Sequence, residues 1–515
     1  MKKLSYLIPI LFPLTVEAQA YTDSLWIETV SHHNTLSFDN PIFLSDRKDS
    51  VNIGNSEISY FKKENHFRDA YSPKEIEGFN IKSERFVSLK NWKFYGLFSF
   101  SKHDDIASRY TEMADPYRDN PYKVTDAVTE VDWRKQHYFL QTKIVSPYIN
   151  EYLRGGIGIK YEVLNGARQK DPRPLDKTIN IELTPSIMLY LGSKFKLGFN
   201  GYYNRYMQDF SMSLENHRNP QEIYKMTGIG EYLYNGPIIS TSLSRMYRGN
   251  TFGGGVSIGL DIKNNHKLRA IFSYKNHKED VTDGVSTPFK AGRYTYHNYD
   301  IRLAYSIESE KINHFFDLYG RYRWVSDYEF IQRLDNITQQ YKVIYFSKKH
   351  SREINQFSIN YNLFIKSKYK ETRWNFQAGI DIYDLYDRYP STQSKDWISN
   401  LLSHIGVKRW FSVDKGSLSV RYSGAYRINL NQSYVYNNKS FSANFIADKI
   451  AYPNHLYNMT NYLSNLVEVQ YNFNLFKKTK SQLYIKTSYE NILANRAREK
   501  KLNNHYFAFT IGLYN

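Results

Sequence analysis

Two short segments set arginines and aspartates beside prolines. The first is SRYTEMADPYRDNPY, residues 108–122, with Arg109, Asp115, Arg118 and Asp119. The second is NGARQKDPRP, residues 165–174, with Arg168, Asp171 and Arg173. A guanidinium fork meets a carboxylate through two parallel N–H···O bonds. Proline stiffens the backbone on either side of such a pair. The chemistry on offer is therefore a latch that braces one loop against another, or a rigid charged surface for a ligand or partner. A third segment, AYPNHLYNMTNYLSN at residues 451–465, offers rings and amides that suit a sugar or polymer; as a bare sequence it reads as a solvated loop running into a strand.

Catalytic signatures are missing. The chain has no HExxH, Walker A, GxSxG or dinucleotide fingerprint. It has no cysteine, which excludes a disulfide framework and thiolate-held metals. His32-His33 is a polar doublet among 14 scattered histidines. The formal charge is +18, yet lysine and arginine are spread along the chain with no nucleic-acid-binding pattern. No enzyme, cofactor, metal or nucleic-acid partner is expected.

The elements that must position these residues are strands. Val467, Val469, Tyr471, Phe473 and Leu475 alternate with Glu468, Gln470, Asn472 and Asn474. Leu418, Val420, Tyr422, Tyr426 and Ile428 alternate with Ser417, Ser419, Arg421, Ser423 and Arg427. Such period-2 runs, joined by short polar turns, are hairpins. Connections of a few residues (LGSK, DIKNNHK, VDKG, FKKTK) alternate with long ones at about 104–134, 165–177, 209–244, 276–290, 328–352, 388–400, 429–461 and 491–502. That segregation marks a transmembrane antiparallel β-barrel, with short turns on the periplasmic side and long loops outside. Mean hydropathy is −0.61 and no long apolar run follows the N-terminus, which suits strands that show lipid only every second side chain. Aromatic residues make up 17% of the chain, as membrane boundaries favour.

The expectation is an all-β barrel of about 16 strands counted from residue 92, with 14 or 18 as the alternatives. The final strand carries Phe507, Phe509, Ile511 and Leu513 on one face and closes the sheet, because lipid tolerates no free edge. Charged residues on the polar faces are expected in the lumen: Glu182, Arg269, Asp317, Arg321, Arg323, Arg421, Arg427, Glu468 and Lys486. Residues 1–20, with Lys2, Lys3, an apolar stretch and Ala18-Gln19-Ala20, read as a secretory signal peptide. Residues 21–90 read as an N-terminal plug or periplasmic rim, and residues 91–515 as the barrel. Residues 79–89 could alternatively supply a strand. The expected location is the cell outer membrane of a Gram-negative bacterium, in contact with membrane lipid and lipopolysaccharide.

The segments SRYTEMADPYRDNPY, DWRKQHYFLQTKIVSP (132–147) and GGIGIKYEVLNGARQKDPRP (155–174) resemble an uncharacterised family of Bacteroidota outer-membrane β-barrels of about 500 residues. The resemblance extends over most of the chain and carries no catalytic residues. It implies a place beside TonB-dependent transporters and surface lipoproteins. The primary expectation is thus an accessory or scaffold subunit of a nutrient-uptake complex. The alternative is a passive or substrate-selective channel.

Overall fold

The computed structural model describes residues 22–36, 40–46, 52–218, 221–233, 238–240, 242–263, 265–368, 371–413, 416–437, 443–473, 481–495 and 502–515. The expected signal peptide lies outside the described residues.

Among the described residues, 18 antiparallel strands form one closed sheet. They are β1 (Ile53–Asn65), β2 (Glu75–Leu89), β3 (Trp92–Ser108), β5 (Val131–Val145), β6 (Leu153–Arg168), β7 (Arg173–Leu191) and β8 (Phe195–Ser213), then β12 (Ser242–Lys263), β13 (His266–Asp283), β14 (Phe289–Glu308), β15 (Ile312–Asp335), β16 (Gln340–Lys366), β17 (Thr372–Tyr389), β18 (Ser394–Val413), β19 (Gly416–Val435), β20 (Tyr462–Phe473), β21 (Gln482–Ala494) and β22 (Leu502–Tyr514). Each pairs with its neighbours along the chain, and β22 returns to β1 from Asn55↔Tyr514 to Asn65↔Asn504. Closure leaves no row of unpaired N–H and C=O groups for lipid to meet.

The apolar faces point outward. On β19, Val420, Tyr422, Tyr426 and Ile428 are exposed, whereas Ser417 and Ser419 are buried. On β12, Phe252, Val256 and Ile258 are exposed and Ser257 is buried; on β22, Phe507, Phe509 and Ile511 are exposed and Thr510 is buried. This inversion of a soluble protein's pattern is what a lipid-facing wall requires. The chain is an all-β outer-membrane barrel.

The sixteen strands expected from residue 92 are all in the wall. Two more, β1 and β2, come from residues expected in the N-terminal segment, so that segment ends before residue 53 and the count is 18. β1 escapes a pattern search because its outward face is short of apolar side chains. Ile58 and Tyr60 are exposed, but Lys62 follows and pairs with Glu75 on β2 at 2.9 Å. The β2–β3 turn is only Lys90-Asn91, both at positive φ (46° and 68°), as a tight primed hairpin turn demands.

Several connections expected to be long loops are strand extensions. β6 and β7 continue to Arg168 and from Arg173, and β17 and β18 run to Tyr389 and from Ser394. β15 has 24 residues and β16 has 27, against roughly 9–11 needed to span lipid. Beyond the membrane both faces of a strand meet water, so the alternation that marks it is lost. Past Tyr328 and Lys348, β15 and β16 pair only with each other as a projecting ribbon, with Ile331, Ile337 and Ile344 exposed.

Helix α1 (Thr22–Leu36) and a 3₁₀ turn at Pro41–Asp46 occupy the lumen at the short-turn end. The helix touches β1, β14, β15, β17 and β22, and the turn touches β3, β5, β6 and β7, so together they reach across the cylinder. Trp26 packs against Phe86 and Tyr514 at ring separations of 5.9 and 6.4 Å. Ile42, Phe43 and Leu44 are buried in the same apolar cluster.

At the opposite end three long connections fold inward. They supply a small sheet in which β9 (Glu222–Gly228) is flanked by β4 (Val124–Asp126), β10 (Glu231–Tyr232) and β11 (Ile238–Ile239). A helical stretch covers α2 (Ala443–Ile446), a wide turn at Ala447–Ala451 and α3 (Tyr452–Met459). The segment 451–465, expected to be a solvated loop, is therefore largely helical. Pro453 sits where the wide turn at Ala447–Ala451 passes into α3.

Candidate functional site

The lumen is divided into a floor, a chamber and a lid. The floor is the N-terminal plug, and buried carboxylates fasten it. Asp23 accepts hydrogen bonds from Trp410 Nε1 (2.7 Å), Ser419 Oγ (3.2 Å) and Tyr514 Oη (3.0 Å), and pairs with Lys408 Nζ at 3.2 Å. Asp46 pairs with Arg269 Nε and Lys196 Nζ, each at 2.6 Å. Burial alone would raise the Asp46 carboxyl, but Arg269 and Lys196 hold it well below the usual carboxylate range. Lys408, Trp410 and Tyr514 do the same for Asp23 against its own burial. Glu28 pairs with Lys366 and accepts from Thr372 and Asn313.

Above the floor lies a chamber of 340 Å³. Its wall alternates cations and carboxylates. Arg302 grips Asp317 through two bonds of 2.8 and 2.7 Å. Arg321 Nε donates to Asp300 at 2.8 Å, and Tyr319 Oη to the same oxygen at 2.8 Å. Lys275 Nζ stands 4.0 Å over the Tyr202 ring. Asn40, Asn200 and Asn360 add amides. Such a surface is suited to a hydrated, hydrogen-bonding solute and unsuited to an apolar one.

The lid is locked to the wall by buried ion pairs. Arg168, fully buried, meets Glu112 at 2.5 Å and Asp126 at 2.9 Å. Burial, with Asp126 close by, pushes the Glu112 carboxyl well above its usual range. Arg245 grips Asp283 at 2.6 and 2.9 Å, and Lys225 of the inner sheet joins at 2.7 Å. Tyr122 lies flat on Gly292, where a Cβ would fall 2.1 Å from its Cζ. Its Oη donates to the Tyr328 carbonyl at 2.8 Å.

The Arg/Asp/Pro segments lie in or beside the lid and meet where Arg168 pairs with Glu112, while their other named residues take separate partners. Arg118 pairs with Glu279 on β13 at 2.6 Å and stacks 3.6 Å over Tyr206. Asp119 pairs with Arg323 at 2.5 Å. Arg109 donates to the Asp69 carbonyl at 3.1 Å. Asp115 accepts from the Tyr117 amide at 3.0 Å and closes a local turn. Asp171 accepts from the Asn216 amide at 2.7 Å and pairs with half-exposed Arg173 at 2.9 Å.

The polar-face residues singled out from sequence all have inward partners. Arg269 reaches the plug; Arg323 and Arg427 reach the lid, Arg427 Nη2 donating to the Tyr457 carbonyl at 2.7 Å. Glu182 pairs with Lys160, Glu468 with Lys408, Lys486 with Glu57, and Arg421 donates to Gln377. Asp317 and Arg321 line the chamber. His32 pairs with Glu308, whereas His33 stacks on Tyr95, so the doublet is split. Among the described residues no group of three or more His, Cys, Asp or Glu is placed to hold a metal ion.

Sequence reasoning missed the plug carboxylates Asp23 and Asp46 and the lid carboxylates Glu112 and Asp126. Glu112 stands inside the quoted segment 108–122, four residues before Pro116. The others carry no local signal, because their partners are distant in the chain.

A closed barrel with a plugged floor and a folded-in lid defines an outer-membrane β-barrel protein. The chain belongs to the family described as a family of unknown function (DUF6850), which matches residues 41–515. No curated protein matches it. Among solved structures it is similar to BauA, the ferric preacinetobactin receptor from Acinetobacter baumannii, with 8% identity, 90% of this chain and 80% of that one covered, and a TM-score of 0.41. It is also similar to a Pseudomonas aeruginosa FadL homologue, with 11% identity, 93% of each chain covered and a TM-score of 0.31. The translocator domain of the autotransporter NalP from Neisseria meningitidis is similar at 10% identity, covering 76% of this chain and 99% of that one, with a TM-score of 0.28.

Proposed function

We propose that this protein is a substrate-selective outer-membrane channel for a polar solute, gated at both ends and working without catalysis. The observation that carries this reading is the polar chamber held between plug and lid. A scaffold has no use for a luminal cavity lined by Arg302, Arg321, Lys275 and three asparagines. In this reading the plug is the periplasmic gate and the lid the outer one. Planar-bilayer recording tests it. The intact protein is expected to conduct rarely, and deletion of residues 22–46 to raise the open probability at least tenfold. A deletion variant that folds into a heat-modifiable barrel and still does not conduct, with or without lid-weakening substitutions, overturns it.

One observation favours a second role within the same complex. The β15–β16 ribbon projects beyond the paired wall with Ile331, Ile337 and Ile344 exposed, as a contact for a TonB-dependent transporter or a surface lipoprotein would. Gentle purification from native membranes distinguishes the roles. A stoichiometric companion lost on trimming residues 329–347 supports an accessory subunit.

A further inference from the structure

The outward face of the wall is unevenly charged toward the lid end. Arg205 on β8, Asn250 on β12 and Lys278 on β13 are direct cross-strand neighbours. Arg248 stands on the same face of β12, two residues nearer the lid end than Asn250. These side chains face outward, because they alternate with the buried, inward Asn204, Thr251 and His277. Next to them on the same face come Tyr203 and Phe252, exposed rings 5.2 Å apart. One step further from the lid, Gly201 lies opposite Gly254. A Cβ on Gly201 would meet only the Pro185 ring, at 3.4 Å, so the wall is notched there.

The charges of this arc do not cancel. Arg248 pairs with Asp209, and Arg293 with Asp280 at 2.6 Å. Arg205 and Lys278 have no carboxylate partner among the described residues. Arg205 Nη1 donates to Asn250 Oδ1 at 3.1 Å, where Tyr203 Oη also donates at 3.2 Å, and Lys278 is exposed. Two cations are thus left over beside an aromatic pair. On β1 to β3 the balance is reversed. Beyond the exposed rings of Tyr60 and Phe79, the carboxylates Glu64, Glu75, Glu77 and Asp104 outnumber Lys62 and Lys102 on the outward face. A rim built only to meet water has no need of that bias.

We infer that the β8–β13 arc binds a phosphorylated glycolipid of the outer leaflet, its phosphate held by Arg205, Arg248 and Lys278 and an acyl chain lying in the Gly201–Gly254 notch. Exposed rings at a barrel's boundary sit at the level of the lipid headgroups, so the cations just beyond them meet those headgroups. A guanidinium fork matches a phosphate, and basic clusters at this level recognise anionic headgroups. The lid end is the outer end, which selects the leaflet. Two strand spacings put the Arg205 and Lys278 backbones about 10 Å apart, wider than one glycerophosphate. Asn250 stands between them, its oxygen already taken, with its amide nitrogen left to donate to a sugar hydroxyl.

Native mass spectrometry of the full barrel in detergent, titrated with lipid A, tests the assignment. One lipid A is expected to stay bound at a collision energy that strips phosphatidylglycerol. Lipid A freed of its phosphates is expected to bind at least tenfold more weakly. Arg205→Gln combined with Lys278→Gln is expected to weaken lipid A binding tenfold or more, and Gly201→Leu severalfold. Lys102→Gln, on the acidic arc, is expected to change it less than twofold. Heat-modifiable migration checks that each variant is folded. No retained lipid A, binding unchanged in the double variant, or an equal loss in Lys102→Gln would each overturn the site. Equal binding of dephosphorylated lipid A or of phosphatidylglycerol would overturn the choice of ligand, and parental binding by Gly201→Leu would overturn the notch. The outcome is independent of whether the lumen conducts.

Discussion

The two ends of the lumen are closed by different means. Among the described residues the plug is one helix and one turn. Its hold consists of a modest apolar cluster and isolated carboxylates, Asp23, Glu28 and Asp46, each reaching a different arc of the wall. The lid is built from connections anchored at both ends in strands. It has its own sheet, its own apolar cores around Tyr122 and Tyr224, and ion pairs in which both partners are buried. If the protein is a channel as proposed, the difference puts the larger movement at the floor, where the ionic contacts are separate, and the finer selection at the lid, where the pairs are buried.

The strongest way to break this contrast is at Arg168. Arg168→Met leaves Glu112 and Asp126 buried together without their cation, a loss of about 3–5 kcal/mol. Limited proteolysis is expected to cut within residues 109–130 in the variant and not in the parent; equal protection would place the lid's stability elsewhere. Asp46→Asn is a smaller lesion, because Arg269 keeps Asp261 at 2.8 Å; about 2–3 kcal/mol of plug docking is expected to go, read as more frequent channel opening.

The same contact sets a pH dependence. The Asp23 and Asp46 carboxyls are lowered in the docked plug. Their contribution is therefore fully present above the free carboxylate range and is lost only as pH falls below it. Opening probability is expected to stay flat from pH 8 to pH 5 and to rise in stronger acid. A rise between pH 7 and 6 would point to the histidines instead.

Gly292→Ala probes the lid more gently. The added methyl meets the Tyr122 ring, and the overpacking is expected to cost about 1–3 kcal/mol, seen as a lowered unfolding temperature that Tyr122→Leu partly restores.

Much of the wall was legible because lipid imposes a strict rule on alternate residues. Val420 and Tyr422 read as outward, and Ser419 and Arg421 as inward, from spacing alone. The rule failed where lipid stops. The outer halves of β15 and β16 look like loop, and β1 looks like a polar tail, since Lys62 and Glu64 interrupt its outward face. The site was legible only in fragments. Arg168 stood out beside its prolines, but its partners lie 56 and 42 residues away, and no local pattern joins them.

The seam between β1 and β22 governs assembly. The cylinder does not exist until the C-terminal strand reaches a strand near the other end of the chain. Helix α1 lies across that junction, with Trp26 against Phe86 and Tyr514 and with Asp23 on the Tyr514 hydroxyl. The plug thus serves as a clasp at the join as well as a stopper. It follows that zipping the wall and seating the helix are coupled steps of biogenesis, and that a chain stripped of this helix should fold more slowly before it ever leaks.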